Sequence, residues 1–275
     1  MTLDSDRKIG PRNGLKLTPQ QRDELLRRYV AGENTKILID QFGVGHPAIC
    51  NMAKRRGVKT RGQKRLPLND DAFAFITPES AYWIGFMMAD GAIWGKRVSI
   101  MLSDKDSEHM QKFKKFLSSG LKMIYAAPRV LVGKYISRPQ IGVGVYSIKM
   151  VSDLAKYGVV PNKSKTAKVI GLEINRDFWR GVIDGDGCID AVGIYPRISL
   201  TGSYDLVSQF SNFIQHCIGF SPNIIRDKGV YRAQTAGHRA ISVIRVLYEN
   251  ATVSLDRKAE KARQVLEHTP SLPIG

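Results

Sequence analysis

The sequence predicts an α+β protein built from two αββαββα units in tandem, preceded by a small all-α domain. Three observations predict it. A helical segment recurs at an offset of 96 residues (186 − 90). Each copy is followed by stretches of alternating polar and apolar residues, the period of a half-buried strand. Ahead of both lie three short helical stretches with turn residues between them.

The first helix of the leading domain starts at Thr18-Pro19-Gln20-Gln21, with Thr as N-cap, Pro at N1 and Gln at N3. Leu25, Leu26 and Tyr29 form its apolar stripe, and Ala31-Gly32 ends it. A second helix is expected over 35–42, then a turn bracketed by Gly43 and Gly45, then a third helix over 47–56. Ile49 and Met52 face inward there, with Asn51, Lys54, Arg55 and Arg56 outward. The pattern resembles a helix-turn-helix of the resolvase-like kind. Between Lys54 and Arg65 lie seven basic residues and no acid, and Arg61, Lys64 and Arg65 read as an arm tracking phosphates or a minor groove. The domain and its arm are assigned to 1–66, a linker to 67–77, repeat 1 to 78–168 and repeat 2 to 169–275.

In the repeat, Tyr82-Trp83-Ile84-Gly85-Phe86-Met87-Met88-Ala89-Asp90-Gly91-Ala92-Ile93 aligns with Phe178-Trp179-Arg180-Gly181-Val182-Ile183-Asp184-Gly185-Asp186-Gly187-Cys188-Ile189. Thr77-Pro78-Glu79 and Asn175-Arg176-Asp177 are the start signals. Residues 97–103 and 197–201 read as strands with one buried face, and 107–117 and 204–218 as helices. Strand pairs are expected at 130–136 with 141–146, and at 223–226 with 230–234. Closing helices are expected at 148–157 and 239–248.

Ala81, Gly85 and Ala89 fall at i, i+4 and i+8, as do Asp177, Gly181 and Gly185. Small residues at that spacing let two helices approach backbone to backbone. Asp90 and Asp186 then stand at the C-terminal ends of their helices, where the dipole is unfavourable to an anion. Close packing brings the two carboxylates near one another. A divalent cation relieves both costs, and hard oxygen ligands favour Mg²⁺ or Mn²⁺ at a phosphodiester site.

The segments 83–91 and 179–187 resemble the LAGLIDADG motif of homing endonucleases, and the resemblance spans roughly residues 78–267. It implies a pseudo-twofold saddle of two αββαββα units whose sheets lie in the DNA major groove. It further implies Asp90 and Asp186 as catalytic metal-binding residues, with Ala89 and Gly185 beside them at the metal, and each active site cutting one strand to leave short 3′ overhangs. Met88 stands where the family often has Asp, a position that is generally not the metal ligand. Lys163 lies 73 residues after Asp90 (163 − 90), and Lys258 lies 72 after Asp186 (258 − 186). Both segments resemble the family's stretch carrying an active-site basic residue, which stabilises developing phosphorane charge.

Strand alternation nominates DNA-facing residues: Arg97, Ser99, Met101 and Ser103; Arg197, Ser199 and Thr201; and Arg226, Lys228, Arg232 and Gln234 from the later hairpin. Long donors on a two-stranded ribbon can read purine edges. Composition agrees. Forty-two Lys and Arg against 25 Asp and Glu give a net charge of +17, which a nucleic-acid partner offsets. No run of about 18 apolar residues exists to span a membrane, and the start has no apolar signal region. Three scattered cysteines, Cys50, Cys188 and Cys217, form neither a disulfide framework nor a zinc cluster. The expectation is a cytoplasmic monomer, prokaryotic or phage-encoded, acting on double-stranded DNA. Two other activities sit on the same fold: non-cleaving transcriptional regulators, which typically lose the acidic residues, and RNA maturases.

Overall fold

The computed structural model describes residues 17–60, 67–117, 120–128, 136–190 and 195–267. The chain divides into two compact units, Met1–Arg65 and Leu66–Gly275. Among the described residues, no helix is long and apolar enough to cross a membrane.

The first unit holds α1 (Pro19–Val30), α2 (Thr35–Phe42) and α3 (His46–Arg55) around Leu25, Leu26, Tyr29, Leu38, Ile49 and Ala53. The capping box at Thr18 forms both of its bonds: Gln21 N–H donates to Thr18 Oγ1 at 3.2 Å, and Thr18 N–H to Gln21 Oε1 at 2.9 Å. Gly43 ends α2 in the left-handed region, at φ 63°.

The second unit contains two copies of one arrangement. The first runs α4 (Pro78–Ala89), β1 (Gly91–Trp94), β2 (Arg97–Ser103), α5 (Ser107–Leu117), β3 (Ile124–Ala126), β4 (Gln140–Tyr146) and α6 (Ile148–Lys156). The second runs α7 (Arg176–Asp186), β5 (Gly187–Asp190), β6 (Arg197–Gly202), α8 (Tyr204–Ile218), β7 (Ile224–Asp227), β8 (Val230–Ala236) and α9 (Gly237–Tyr248). A further helix, α10 (Asp256–Glu267), follows. Each copy forms a four-stranded antiparallel sheet, ordered β1-β2-β4-β3 and β5-β6-β8-β7.

Two expectations change here. The first sheet's edge strand is Ile124–Ala126, paired with Gln140–Gly142; of the strand expected at 130–136, residues 130–135 lie outside the described residues. The short strands β1 and β5, for which no residues were nominated, begin on the glycine that closes each motif.

The cores match as closely as the topology. Trp83 of α4 packs on Phe113 and Phe116 of α5, and Trp179 of α7 packs on Phe210 and Phe213 of α8. Both indoles are fully buried, and each such burial stabilises the fold by about 2–3 kcal/mol. From Ser80 to Met88, α4 is buried on every side, as a central helix must be.

Candidate active site

The site is set by how α4 and α7 meet. A methyl group on Gly85 would be driven into the carbonyl oxygen of Phe178, and one on Gly181 into that of Tyr82. One on Gly185 would strike Ala89 and come 3.4 Å from Asp90 Oδ2. The small residues therefore bring the two helices together at backbone distance. Asp177, at the far end of the expected ridge, instead lies 2.7 Å from Arg180 Nη2.

Each helix delivers its aspartate as its last or capping residue: Asp90 caps α4 and Asp186 ends α7. Solvent reaches both residues, but protein crowds the inner side of each carboxyl group. Burial, reinforced by the charge of Asp186, raises Asp90 to about 6. Asp186 is also raised by burial, and the cations of Lys163 and Lys258 oppose that rise. Asp90, Asp186, Lys163 and Lys258 thus form one electrostatic cluster.

Both lysines are buried, at 7% and 5% exposure. Lys163 Nζ donates to Gly91 O at 2.5 Å. Lys258 Nζ donates to Ile183 O at 2.6 Å, Asp184 O at 2.8 Å and Gly187 O at 2.7 Å, with a longer bond to Gly185 O. The C-terminal carbonyls of α7 have no partner within the helix, so a buried ammonium is a fitting cap. Burial lowers both lysines, Lys258 to about 8, and leaves Lys258 charged at neutral pH.

Lys258 sits in the first turn of α10, whose start is pinned from both copies. Leu255 N–H donates to Asp184 Oδ2 at 2.7 Å. From the first copy, Lys112 Nζ reaches Ser254 O and Asp256, and Asp106 pairs with Arg257.

Asp184, two residues before Asp186, is fully buried. Besides Leu255 N–H, it accepts the hydroxyls of Tyr82 at 2.7 Å and Tyr248 at 2.6 Å. Tyr82 OH also stands 3.0 Å from His109 Nε2. Burial, followed by the charge of Lys112, lowers His109 to about 3 and so keeps it neutral. The Tyr82 hydroxyl donates to Asp184, and the His109 ring packs edge-on to the Tyr82 ring. Arg180 completes this buried layer. Its Nε donates to Val253 O and its Nη1 to Leu247 O, and its guanidinium lies over the Tyr82 ring. None of these roles was read from the sequence. The one available signal was a pair of charged residues, Arg180 and Asp184, in a helix otherwise destined for the core.

The nominated DNA-facing residues separate by register. In β2, Arg97 and Ser99 alternate with buried Val98 and Ile100 and lie on the face turned away from the helices. In the second sheet Arg197 and Ser199 lie on the equivalent face, with Gln234 opposite Ser199 and Arg232 opposite Thr201. Arg226 does not join them. The two-residue turn at Lys228-Gly229 sets Arg226 opposite Tyr231, whose ring packs on Tyr204 of α8, so Arg226 belongs to the helix side. Lys228 occupies the turn itself, at φ 47°, rather than a strand face. On α3, Asn51, Lys54 and Arg55 are exposed, as is Arg56, which caps the helix one residue beyond it and pairs with Asp23. Arg61, Lys64 and Arg65 lie outside the described residues.

A divalent cation fits the donor set. Two hard carboxylates come together where burial raises both and the charge of Asp186 raises Asp90 further, and Mg²⁺ uses one or two carboxylates and keeps several waters. Among the described residues, no group of three His, Cys, Asp or Glu side chains forms an all-protein cage.

No family model and no curated protein matches the sequence. The structure is similar to that of the homing endonuclease I-WcaI bound to its DNA recognition sequence, with a TM-score of 0.50 at 13% identity over 80% of this chain and 96% of that one. The fold is the LAGLIDADG fold. The LAGLIDADG meganuclease I-AabMI bound to uncleaved DNA matches at TM-score 0.47 and 11% identity, over 70% of this chain and 90% of that one. Full-length DUF199/WhiA from Thermatoga maritima matches at TM-score 0.43 and 14% identity, over 74% and 66%. In this LAGLIDADG fold α4 and α7 are the motif helices, and their C-terminal ends carry Asp90 and Asp186.

Proposed function

We propose that the chain is a site-specific double-strand DNA endonuclease that hydrolyses phosphodiester bonds with a divalent metal, one motif aspartate serving each strand. The observation that carries this reading is the pairing of Asp90 and Asp186 at the ends of two tightly packed helices, each beside a buried lysine. A protein that only bound DNA would have no need of two crowded carboxylates facing a polyanion.

Asp90 and Asp186, with the backbone of Ala89 and Gly185 beside them, would hold Mg²⁺ or Mn²⁺. A bound divalent ion supplies Lewis acidity toward water and the scissile phosphate. Lys163 and Lys258 hold the helix-end and strand-start backbone in place and add positive charge where the phosphorane develops. The faces bearing Arg97, Ser99, Arg197, Ser199, Arg232 and Gln234 lie along base edges. The net charge of +17 supplies attraction to the phosphates. The first unit acts as a helix-turn-helix: Asn51, Lys54 and Arg55 of α3 and its cap Arg56 face DNA, and the arm with Arg61, Lys64 and Arg65 lengthens the site. One chain carries both motifs, so a monomer suffices.

The test is incubation of the chain with a library of duplex targets and Mg²⁺, beside Asp90→Asn and Asp186→Asn. The wild type is expected to cut both strands, and each variant to nick one, with the other strand slowed at least about 10²-fold. Tight binding by the wild type without any cleavage would remove the endonuclease reading.

A further inference from the structure

The helices α5 and α8 hold equivalent places, because Phe113 and Phe116 pack on Trp83 as Phe210 and Phe213 pack on Trp179. The offset between them is 97 residues (210 − 113). It matches Asp106, just before α5, with Ser203, just before α8, and Lys112 with Gln209. Two polar positions thus recur in both copies at the same places.

All four side chains reach across to the chain segment that carries the other half's lysine. In the first copy, the Asp106 side chain is only 11% exposed and accepts from Arg257 Nε at 3.1 Å. Lys112 Nζ donates to Ser254 O at 3.0 Å and to the Asp256 carboxylate. These partners lie one to four residues before Lys258. In the second copy, the Ser203 hydroxyl donates to Ala167 O. Gln209 accepts from Val169 N–H at 2.9 Å and donates to Val169 O at 2.8 Å. These partners lie four and six residues after Lys163.

We propose that the two active-site lysines are set crosswise, each half fixing the segment that carries the other's lysine. Asp106 and Lys112 are positioning residues for Lys258, and Ser203 and Gln209 for Lys163. A lysine is a point charge on a flexible stem, so its head is fixed only as well as its backbone is. The buried positions of α10 are Lys258, Ala262 and Val265, a thin apolar anchor, and polar bonds at its first turn supply the rest. The brace on Lys258 is ionic and largely solvent-facing, whereas the brace on Lys163 is neutral and more buried. This proposal rests on the endonuclease reading above.

The test uses the full chain and a duplex that the wild type cuts, with each strand separately labelled. Single-turnover rates are measured in Mg²⁺ at saturating protein. Lys112→Met and Asp106→Asn are each expected to slow, by about tenfold, the strand that Lys258→Met slows, and to spare the strand that Lys163→Met slows. Lys112→Arg keeps the charge and the donors and should restore the wild-type ratio of the two rates. Gln209→Ala should slow the Lys163 strand instead. Partly exposed ion pairs add little to stability, so the Lys112 variants should remain folded and bind the duplex in Ca²⁺ as the wild type does. Equal slowing of both strands, or no slowing of either, by Lys112→Met would overturn the crosswise arrangement. Hydrogen exchange without DNA gives a second readout. The amides of Leu255, Lys258 and Ala259, which bond Asp184 and Leu255 O, should exchange faster in Lys112→Met, while that of Val169 stays unchanged. Unchanged exchange at all of them would also overturn the proposal. If no duplex is cut, the endonuclease reading fails, and exchange alone decides whether the first half holds α10.

Discussion

The helices α4 and α7 are near-copies where they touch and differ two residues before each aspartate. At the contact, Gly85 meets Phe178 and Gly181 meets Tyr82, in mirror fashion. Two residues before the aspartate, α4 has Met88 and α7 has Asp184. The carboxylate of Asp184 draws in Tyr82, Tyr248 and the backbone of Leu255, whereas Met88 packs apolar in the core. The lysines follow the same division. Lys258 rides on a helix whose start Asp184 anchors and bonds several carbonyls, while Lys163 bonds one, among the described residues. The contact tolerates little asymmetry because both backbones share one narrow gap. The surrounding layer tolerates much, because each half only has to satisfy its own buried groups.

The largest way to break this comparison is at the unlike position. Asp184→Ala leaves two tyrosine hydroxyls and an amide without their acceptor and is expected to cost about 3–5 kcal/mol in urea denaturation. The softer variant Asp184→Asn should cost about 1–3 kcal/mol, because an amide keeps one acceptor oxygen. A loss under 0.5 kcal/mol for Asp184→Ala would mean that the buried network adds little.

The like positions offer a sharper test. Gly85→Ala and Gly181→Ala each force a methyl into a backbone carbonyl of the other helix. Each should cost about 1–3 kcal/mol by overpacking, and the two costs should be similar. A large difference between them would show that the helix contact is not symmetric in energy.

The smallest effect separates charge from packing. Asp90 is raised to about 6, above the ordinary carboxylate range, so the folded protein holds this proton more tightly than the unfolded chain. That stabilisation is complete below pH 4 and lost as pH rises through about 6. At pH 8 without divalent cation, Asp90→Asn should therefore be more stable than wild type. The gain is on the order of 1 kcal/mol after allowing for solvent at Asp90, and it should shrink toward pH 5. Mg²⁺ should raise the melting temperature of the wild type at pH 8 more than that of the variant. Equal response of the two proteins to Mg²⁺ would remove Asp90 from the metal site.

Much of the architecture was legible in the residues. The helices 35–42, 107–117 and 204–218 fall where periodicity places them, because their apolar stripes are strong. The elements that escaped notice have weak stripes. The inward positions of α10 are Lys258, Ala262 and Val265, so a lysine and an alanine stand where large apolar residues would announce a helix. The strand Ile124–Ala126 has three residues, too few for alternation to register. Arg226 was placed on the wrong face because one residue of register reverses every side chain on a strand, and the turn at Lys228-Gly229 decides that register.

The sequence by itself determined the duplication, the small-residue ridge and the two aspartates at its ends, since all three are periodic and local. Tertiary structure alone decided which buried groups would face one another. Asp184 meets Tyr82 across 102 residues of chain and Tyr248 across 64, and Lys258 meets Ile183 across 75. Such partners are chosen by the need to pair every buried polar atom within a packed interior. That need acts on neighbours in space and leaves no period in the chain.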